Sequence, residues 1–86
     1  MQWSEAIKTY PNQWLLFEAI EAYSENNKRI VKEISVINVY EEGKEALKEY
    51  AEIHKKDKSR EMYVYHTKNE KLEIEERNWI GVRKND

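Results

Sequence analysis

The segment from residue 29 to residue 40 constrains the fold more than any other part of the chain. It is rich in valine and isoleucine, whose branched side chains favour extended backbone and pack well on a pleated sheet. A strand needs a partner, and the aromatic and branched residues of the segment 14–24 lie just before it, across the pair Asn26-Asn27. We therefore predict a hairpin of two strands. The alanine and glutamate content of 14–24 would also allow a helix.

The apolar residues of the second strand do not keep one parity. Ile34 and Val36 fall on one face, whereas Val31, Ile37 and Val39 fall on the other. Either a bulge shifts the register, or both faces of the strand are covered. In so small a domain, a strand that is apolar on both faces suggests a partner on the second face.

Two helices are predicted around this hairpin. Ser4 has the character of an N-cap for a short helix, and Pro11 ends it, because the residue before a proline disfavours helical backbone. The main helix is predicted from Lys44 to about Lys56, with basic residues at its end that match the helix dipole. Its apolar stripe at helical spacing comprises Ala46, Leu47, Tyr50, Ala51, Ile53 and His54.

The remaining patterns are extended and complete an α+β fold. Residues 62–67 alternate as a strand, Leu72 and Ile74 form a weaker extended segment, and 79–82 reads as a closing strand or docking segment. We predict one domain over residues 1–86. It has a small antiparallel sheet of three to four strands, one main helix packed on one face, and a short N-terminal helix.

Tyr10, Pro11 and Trp14 form a Tyr-Pro-x-x-Trp motif. In this the chain resembles a family of small prokaryotic domains of unknown function that open with the same motif. Those domains continue through a β-hairpin into a helix and a final strand. The resemblance covers about two thirds of the chain and implies the same topology. The chain departs from the pattern in its longer hairpin and in an additional tail, Leu72 to Arg83, after the last shared strand. The resemblance implies no activity.

The chain contains no cysteine. Disulfides, thiolate nucleophiles and cysteine zinc sites are therefore excluded, and a cytoplasmic location is expected. The opening residues lack the basic and apolar regions of a signal peptide, and the longest apolar run, Trp14 to Phe17, is far too short to span a bilayer.

Catalysis and cofactor binding have little support in the sequence. His54 and His66 are the only histidines, and a small enzyme would have to use them with Glu73 or Glu75. Their spacing matches no metal motif, so we expect ordinary histidines with local hydrogen bonds. The cluster of glutamates at 70–76 is typical of a solvated strand face. We predict no catalytic residue, no metal ligand and no cofactor.

A nucleic-acid-associated role, such as that of an antitoxin-like regulator, is the alternative function. A possible basic patch is formed by Lys55, Lys56, Lys58 and Arg60, and it is followed by Tyr63 and Tyr65, on which bases could stack. Against this, the formal net charge is −2, and basic residues at a helix end are expected for dipole reasons alone. Nucleic acid is therefore not the favoured partner.

The surplus of aromatic residues favours protein contacts instead. The chain has three tryptophans and six tyrosines, more than one thin core needs. The predicted interaction residues are Tyr23, Tyr40, Tyr63 and Tyr65. We predict a non-enzymatic interaction or regulatory domain that associates with itself as a homodimer.

Overall fold

The computed structural model describes residues 1–76 of the protein. Within them the elements follow in the order α1 (Trp3–Thr9), β1 (Trp14–Glu25), β2 (Lys28–Tyr40), α2 (Gly43–Lys56), β3 (Met62–His66) and β4 (Ile74–Glu75). The strands form one antiparallel sheet in the order β3-β1-β2-β4. This confirms the predicted α+β fold. The segment expected at 79–82 lies outside the described residues.

The strand prediction for residues 14–24 is confirmed, since β1 and β2 pair as a long hairpin. Asn26 and Asn27 form its two-residue loop and have φ angles of 51° and 62°. Two successive left-handed residues match the twist of the flanking strands, and asparagine tolerates this conformation better than most residues. The asparagine pair thus fixes the register at the tip of the hairpin.

The mixed parity of the second strand is explained by bulges. Register shifts leave Ile37 and Lys32 as extra residues on β2 and Ile20 as an extra residue on β1. Each extra residue reverses the parity of the residues after it, so apolar side chains return to the same face. The β2 residues that reach one common core in this way are Val31, Ile34, Val36 and Val39.

The first face of the sheet is covered by α1. Trp3 and Ala6 are buried there against Leu15 and Phe17. The Trp3 indole also donates a hydrogen bond from Nε1 to the carbonyl of Asn69, at 2.8 Å. The short helix therefore closes the core and ties the turn after β3 to it.

The predicted N-cap of α1 is wrong. The helix begins at Trp3 with Gln2 as its N-cap, which puts Ser4 inside the first turn. The Glu5 carboxylate accepts a hydrogen bond from the Gln2 amide at 3.1 Å. Because of this hydrogen bond and the burial of Trp3, the helix begins before Ser4 and not after it.

The second face of the sheet is covered by α2. Its first residue, Gly43, lies against the indole of Trp14, and Ala46 is fully buried. Farther along, Glu49 accepts hydrogen bonds from the side chains of Asn38 and Tyr40 on β2. The sheet is therefore covered on both faces, by α1 on one and α2 on the other.

The predicted apolar stripe of α2 is only partly right. Leu47 and Ala51 are exposed, whereas Tyr50, Ile53 and His54 are half-buried. Glu49 on the β2 side of the helix is bonded to Asn38 and Tyr40, whereas Leu47 is 57% exposed.

Candidate interaction surface

A shallow apolar groove runs between α2 and β3. It is lined by Leu47, Tyr50, Met62, Tyr63 and Val64. Leu47 is 57% exposed, although it is a leucine in the middle of a packed helix. A large aliphatic side chain that projects beside an apolar recess is typical of a surface that binds another protein. We call this groove and Leu47 the α2–β3 surface.

The outer edge of β3 borders this surface. β3 is the end strand of the sheet, and it pairs with β1 without a register shift. The Thr67 amide donates to the carbonyl of Gln13 at 2.9 Å, and the Ala19 amide donates to the carbonyl of Glu61 at 2.8 Å. In an antiparallel ladder, alternate residues direct their backbone groups toward the same neighbour. Residues 61, 63, 65 and 67 therefore face β1 with their backbone groups.

Met62, Val64 and His66 accordingly direct their backbone groups away from β1, toward the open edge. The carbonyl of His66 accepts hydrogen bonds from the backbone amide of Asn69 at 3.2 Å and from its side chain at 2.8 Å. The backbone groups of Val64 point outward at the centre of the strand. Within residues 1–76, no other strand pairs with this edge.

The two faces of β3 carry different chemistry. Met62 and Val64 lie on the α2 side, in the groove. Tyr63 and Tyr65 lie on the α1 side, with their rings 5.9 Å from Phe17 and 5.6 Å from Trp3. Both tyrosines are only half-buried, so part of each ring remains accessible next to the open edge.

The structure does not bring the four predicted interaction tyrosines together. Tyr63 and Tyr65 are neighbours on β3, but Tyr23 lies near the hairpin tip, where it is 43% exposed and pairs with Ile30. Tyr40 is held on the α2 side by its hydrogen bond to Glu49. A role in binding stays a prediction for all four. Only the β3 pair adjoins the α2–β3 surface.

A polar cluster beside β3 was not foreseen from the sequence. Arg29 donates to both carboxylate oxygens of Glu61, and Tyr63 donates its hydroxyl to the same carboxylate at 2.6 Å. The hydrogen bond from Arg29 holds the pKa of Glu61 below its ordinary value, and burial raises the pKa of Tyr63 well above its own. Arg29 and Glu61 are 32 residues apart, so no local pattern could have shown the pair.

Only His66 shows the local hydrogen bond that the sequence led us to expect of both histidines. His66 accepts a hydrogen bond at Nδ1 from the Lys68 amide, at 3.0 Å, and meets the Trp14 ring edge-on at 5.0 Å. His54 stacks on Tyr50 with ring centroids 5.5 Å apart. Its Nδ1 is buried and has no hydrogen-bond partner among residues 1–76.

The acidic residues proposed to assist the histidines lie in a cleft that neither histidine lines. Glu73 and Glu75 line it together with Lys28 and Ile74. In the part of the chain that the structure describes, no group of three or more histidine, aspartate or glutamate side chains is arranged to hold a metal ion.

The predicted basic patch is divided. Lys55, Lys56 and Lys58 are exposed at the end of α2. Arg60 instead pairs with Glu18, with an Nη2–Oε1 distance of 2.7 Å, and this contact raises the pKa of the guanidinium. The rings of Tyr63 and Tyr65 lie on the opposite face of the sheet from α2. The structure therefore separates the lysines from the tyrosines that were expected to accompany them.

The fold and the α2–β3 surface define a small α+β domain with one apolar, open-edged side. Neither helix among residues 1–76 has the length and apolar character needed to cross a bilayer. No protein-family model matches the chain, and neither a curated protein nor a solved structure gives a significant match. The likeness carried by Tyr10, Pro11 and Trp14 therefore remains a resemblance.

Proposed function

We propose that the protein is a non-enzymatic interaction domain that forms a homodimer through its α2–β3 surface. The observation that carries the proposal is the exposed Leu47 beside the groove formed by Tyr50, Met62 and Val64. Burying a leucine side chain that is otherwise in water contributes about 1.5–3 kcal/mol. Burial of Leu47 and the groove against a second copy therefore favours the dimer over the monomer.

A second copy is the partner that this surface fits best. A two-fold symmetric interface uses the same patch on both subunits, so the patch must contain both a projection and a recess. Leu47 supplies the projection, and the groove next to it supplies the recess. Each copy would then place its Leu47 over the groove of the other.

The alternatives have less support. An antitoxin-like nucleic-acid role depended on a basic and aromatic surface, and Arg60 is paired with Glu18 while the β3 tyrosines lie on the other face. An enzyme based on His66 depended on a carboxylate partner, and His66 instead accepts a backbone hydrogen bond from Lys68. A cytoplasmic location, expected from the lack of cysteine, is part of the same proposal.

The proposal is tested by measuring the oligomeric state over a range of micromolar concentrations, by sedimentation equilibrium or light scattering. We expect a monomer–dimer equilibrium for the unmodified chain. Leu47→Asp places a charge in the interface, so we expect its dissociation constant to rise by at least about tenfold.

Ile20→Asp is the matched control. Ile20 is an aliphatic residue of similar exposure, 63%, at a bulge of β1 and outside the groove. We expect this variant to dimerise like the unmodified protein. A strictly monomeric protein, or equal effects of the two substitutions, would refute dimerisation through the α2–β3 surface.

A further inference from the structure

We infer that the second copy binds by strand addition: the two β3 strands pair antiparallel at their open edges, with Val64 at the two-fold axis. The two four-stranded sheets then join into one continuous sheet of eight strands. This inference rests on the proposed self-association and adds the mode of contact. It assigns a binding role to the backbone of β3 in addition to the side chains of the groove.

The open backbone groups of β3 are arranged symmetrically. Met62, Val64 and His66 are the residues whose backbone groups point outward, and Val64 is midway between the other two. In an antiparallel pair centred on Val64, the two Val64 residues exchange both of their hydrogen bonds. The His66 amide of each copy meets the Met62 carbonyl of the other. These contacts leave the His66 carbonyl with its existing donor, Asn69.

The side chains agree with this register on both faces. On the α2 face, the two Val64 side chains become neighbours beneath the two Leu47 residues. On the α1 face, Tyr63 of each copy lies directly opposite Tyr65 of the other. Aromatic pairs in directly opposed positions contribute to sheet stability. One two-fold axis therefore satisfies the backbone, the groove and the β3 tyrosines together.

The two edges of the sheet differ in their suitability for pairing. At the other side of the sheet, the two-residue strand β4 pairs only with Lys28 and Arg29, so the rest of that edge is β2 itself. β3 has five residues in regular register with β1 and contains no proline, lysine, arginine or acidic residue. Natural proteins usually blunt an exposed edge with charges, prolines, bulges or short strands. β4 is protected by its short length. The uncovered part of β2 has bulges at Lys32 and Ile37, and its Ile34 exchanges backbone hydrogen bonds with Met1. β3 lacks these protections and is the edge suited to a partner strand.

Val64→Pro tests the backbone contact directly. Proline removes the Val64 amide hydrogen, which points away from β1, so the bonds between β3 and β1 are retained. We expect the dissociation constant of the dimer to rise at least about tenfold. Val64→Ala is the matched control, because it keeps the amide and removes most of the side chain, and its effect should be smaller. Circular dichroism checks that both variants are folded.

Amide hydrogen exchange in the unmodified protein gives a second measurement that needs no variant. Exchange at Val64 and His66 should slow as the protein concentration rises, whereas exchange at Asn26 in the hairpin turn should not change. This measurement decides the matter if the proline variant does not fold or if both variants weaken the dimer equally.

The outcomes separate the two proposals. A dimer that dissociates with Val64→Pro and protects the Val64 amide supports strand addition. A dimer that is sensitive to Leu47→Asp, but shows neither effect at Val64, overturns strand addition and leaves the proposed function standing. A protein that remains monomeric at every concentration overturns both.

Discussion

Arg29 and Glu61 form a two-point ion pair, with Nε–Oε2 and Nη2–Oε1 distances of 2.7 and 2.9 Å. Arg29 belongs to β2, and Glu61 directly precedes β3, so the pair spans the intervening strand β1. Tyr63 donates to the same carboxylate and links it to β3 itself. These contacts fix the start of the strand whose outer edge we propose as the dimer interface.

Replacing Glu61 with glutamine should make the free energy of unfolding less dependent on pH in the acidic range. The pKa of Glu61 is lowered in the folded protein, chiefly by the hydrogen bond from Arg29, so the ionised carboxylate stabilises the fold. This contribution is complete above the unfolded pKa of about 4.3 and is lost as the pH falls through the lower folded value. Thermal unfolding should show Glu61→Gln less stable than the unmodified protein at neutral pH. The two curves should converge in acid.

The exposed α2 residue Glu52 supplies the control for this experiment, as Glu52→Gln. It should lower the neutral-pH stability less than Glu61→Gln does. A difference between the unmodified protein and Glu61→Gln that stays constant down to the lowest pH would contradict the role assigned to the ion pair.

Gly43→Ala should destabilise the protein, although alanine is the better helix former. A Cβ atom at this position would lie 3.0 Å from Cε2 and 3.1 Å from Cζ2 of Trp14. Overpacking of this kind costs about 1–3 kcal/mol, more than the gain of up to about 1 kcal/mol in helix propensity. Chemical denaturation measures the change. Lys44→Ala at the next position is the control, and a Gly43→Ala protein of equal or greater stability would show that Trp14 moves aside freely.

Substitutions at the hairpin tip should follow the backbone angle of Asn27. Its φ of 62° is left-handed, a conformation that costs an ordinary residue about 1 kcal/mol or more. Asn27→Ala should therefore lower the free energy of unfolding by about 1 kcal/mol, and Asn27→Gly should leave it unchanged or raise it slightly. Denaturant unfolding of the two variants gives the order directly. An alanine variant more stable than the glycine variant would contradict a left-handed turn.

The proposed dimer should become tighter as salt is added. Helical spacing places Lys44, Lys48 and Lys55 on the solvent side of Leu47, and Lys48 and Lys55 are exposed. Strand addition would bring the lysines of the two copies toward one another, and salt screens this repulsion. The dissociation constant, measured from low to moderate salt, should therefore fall. Lys48→Glu should reduce this dependence.

Salt also distinguishes self-association from the nucleic-acid alternative. Binding to a phosphate backbone releases counterions and weakens steeply with added salt. A complex with nucleic acid that forms at low salt and dissociates as salt rises would favour the alternative. A dimer that dissociates as salt is added would argue against the proposed placement of the α2 lysines.

The elements of the candidate surface can be predicted from the sequence, but the surface itself cannot. Alternation and aromatic content are local properties, and they predict a strand at residues 62–67 with Tyr63 and Tyr65 as interaction residues. Helical spacing alone assigns Leu47 to the apolar stripe of α2. Its exposure depends on the rotation of the helix over the sheet, which contacts from β2 to Glu49 help to set.

The sequence by itself determined that β2 and β3 are extended, that α2 is helical and that the chain turns at Asn26-Asn27, but it allowed helix as well as strand for residues 14–24. Branched residues in β2, the asparagine pair at 26–27 and the helical spacing in α2 act over a few residues, so they operate before any distant contact forms. The tertiary structure decided the bulges that bring Val31 and Val39 to one face, the pairing of Arg29 with Glu61, and the open edge of β3. These features depend on how strands that are far apart in the chain pair with one another, so only the packing of the whole sheet selects them.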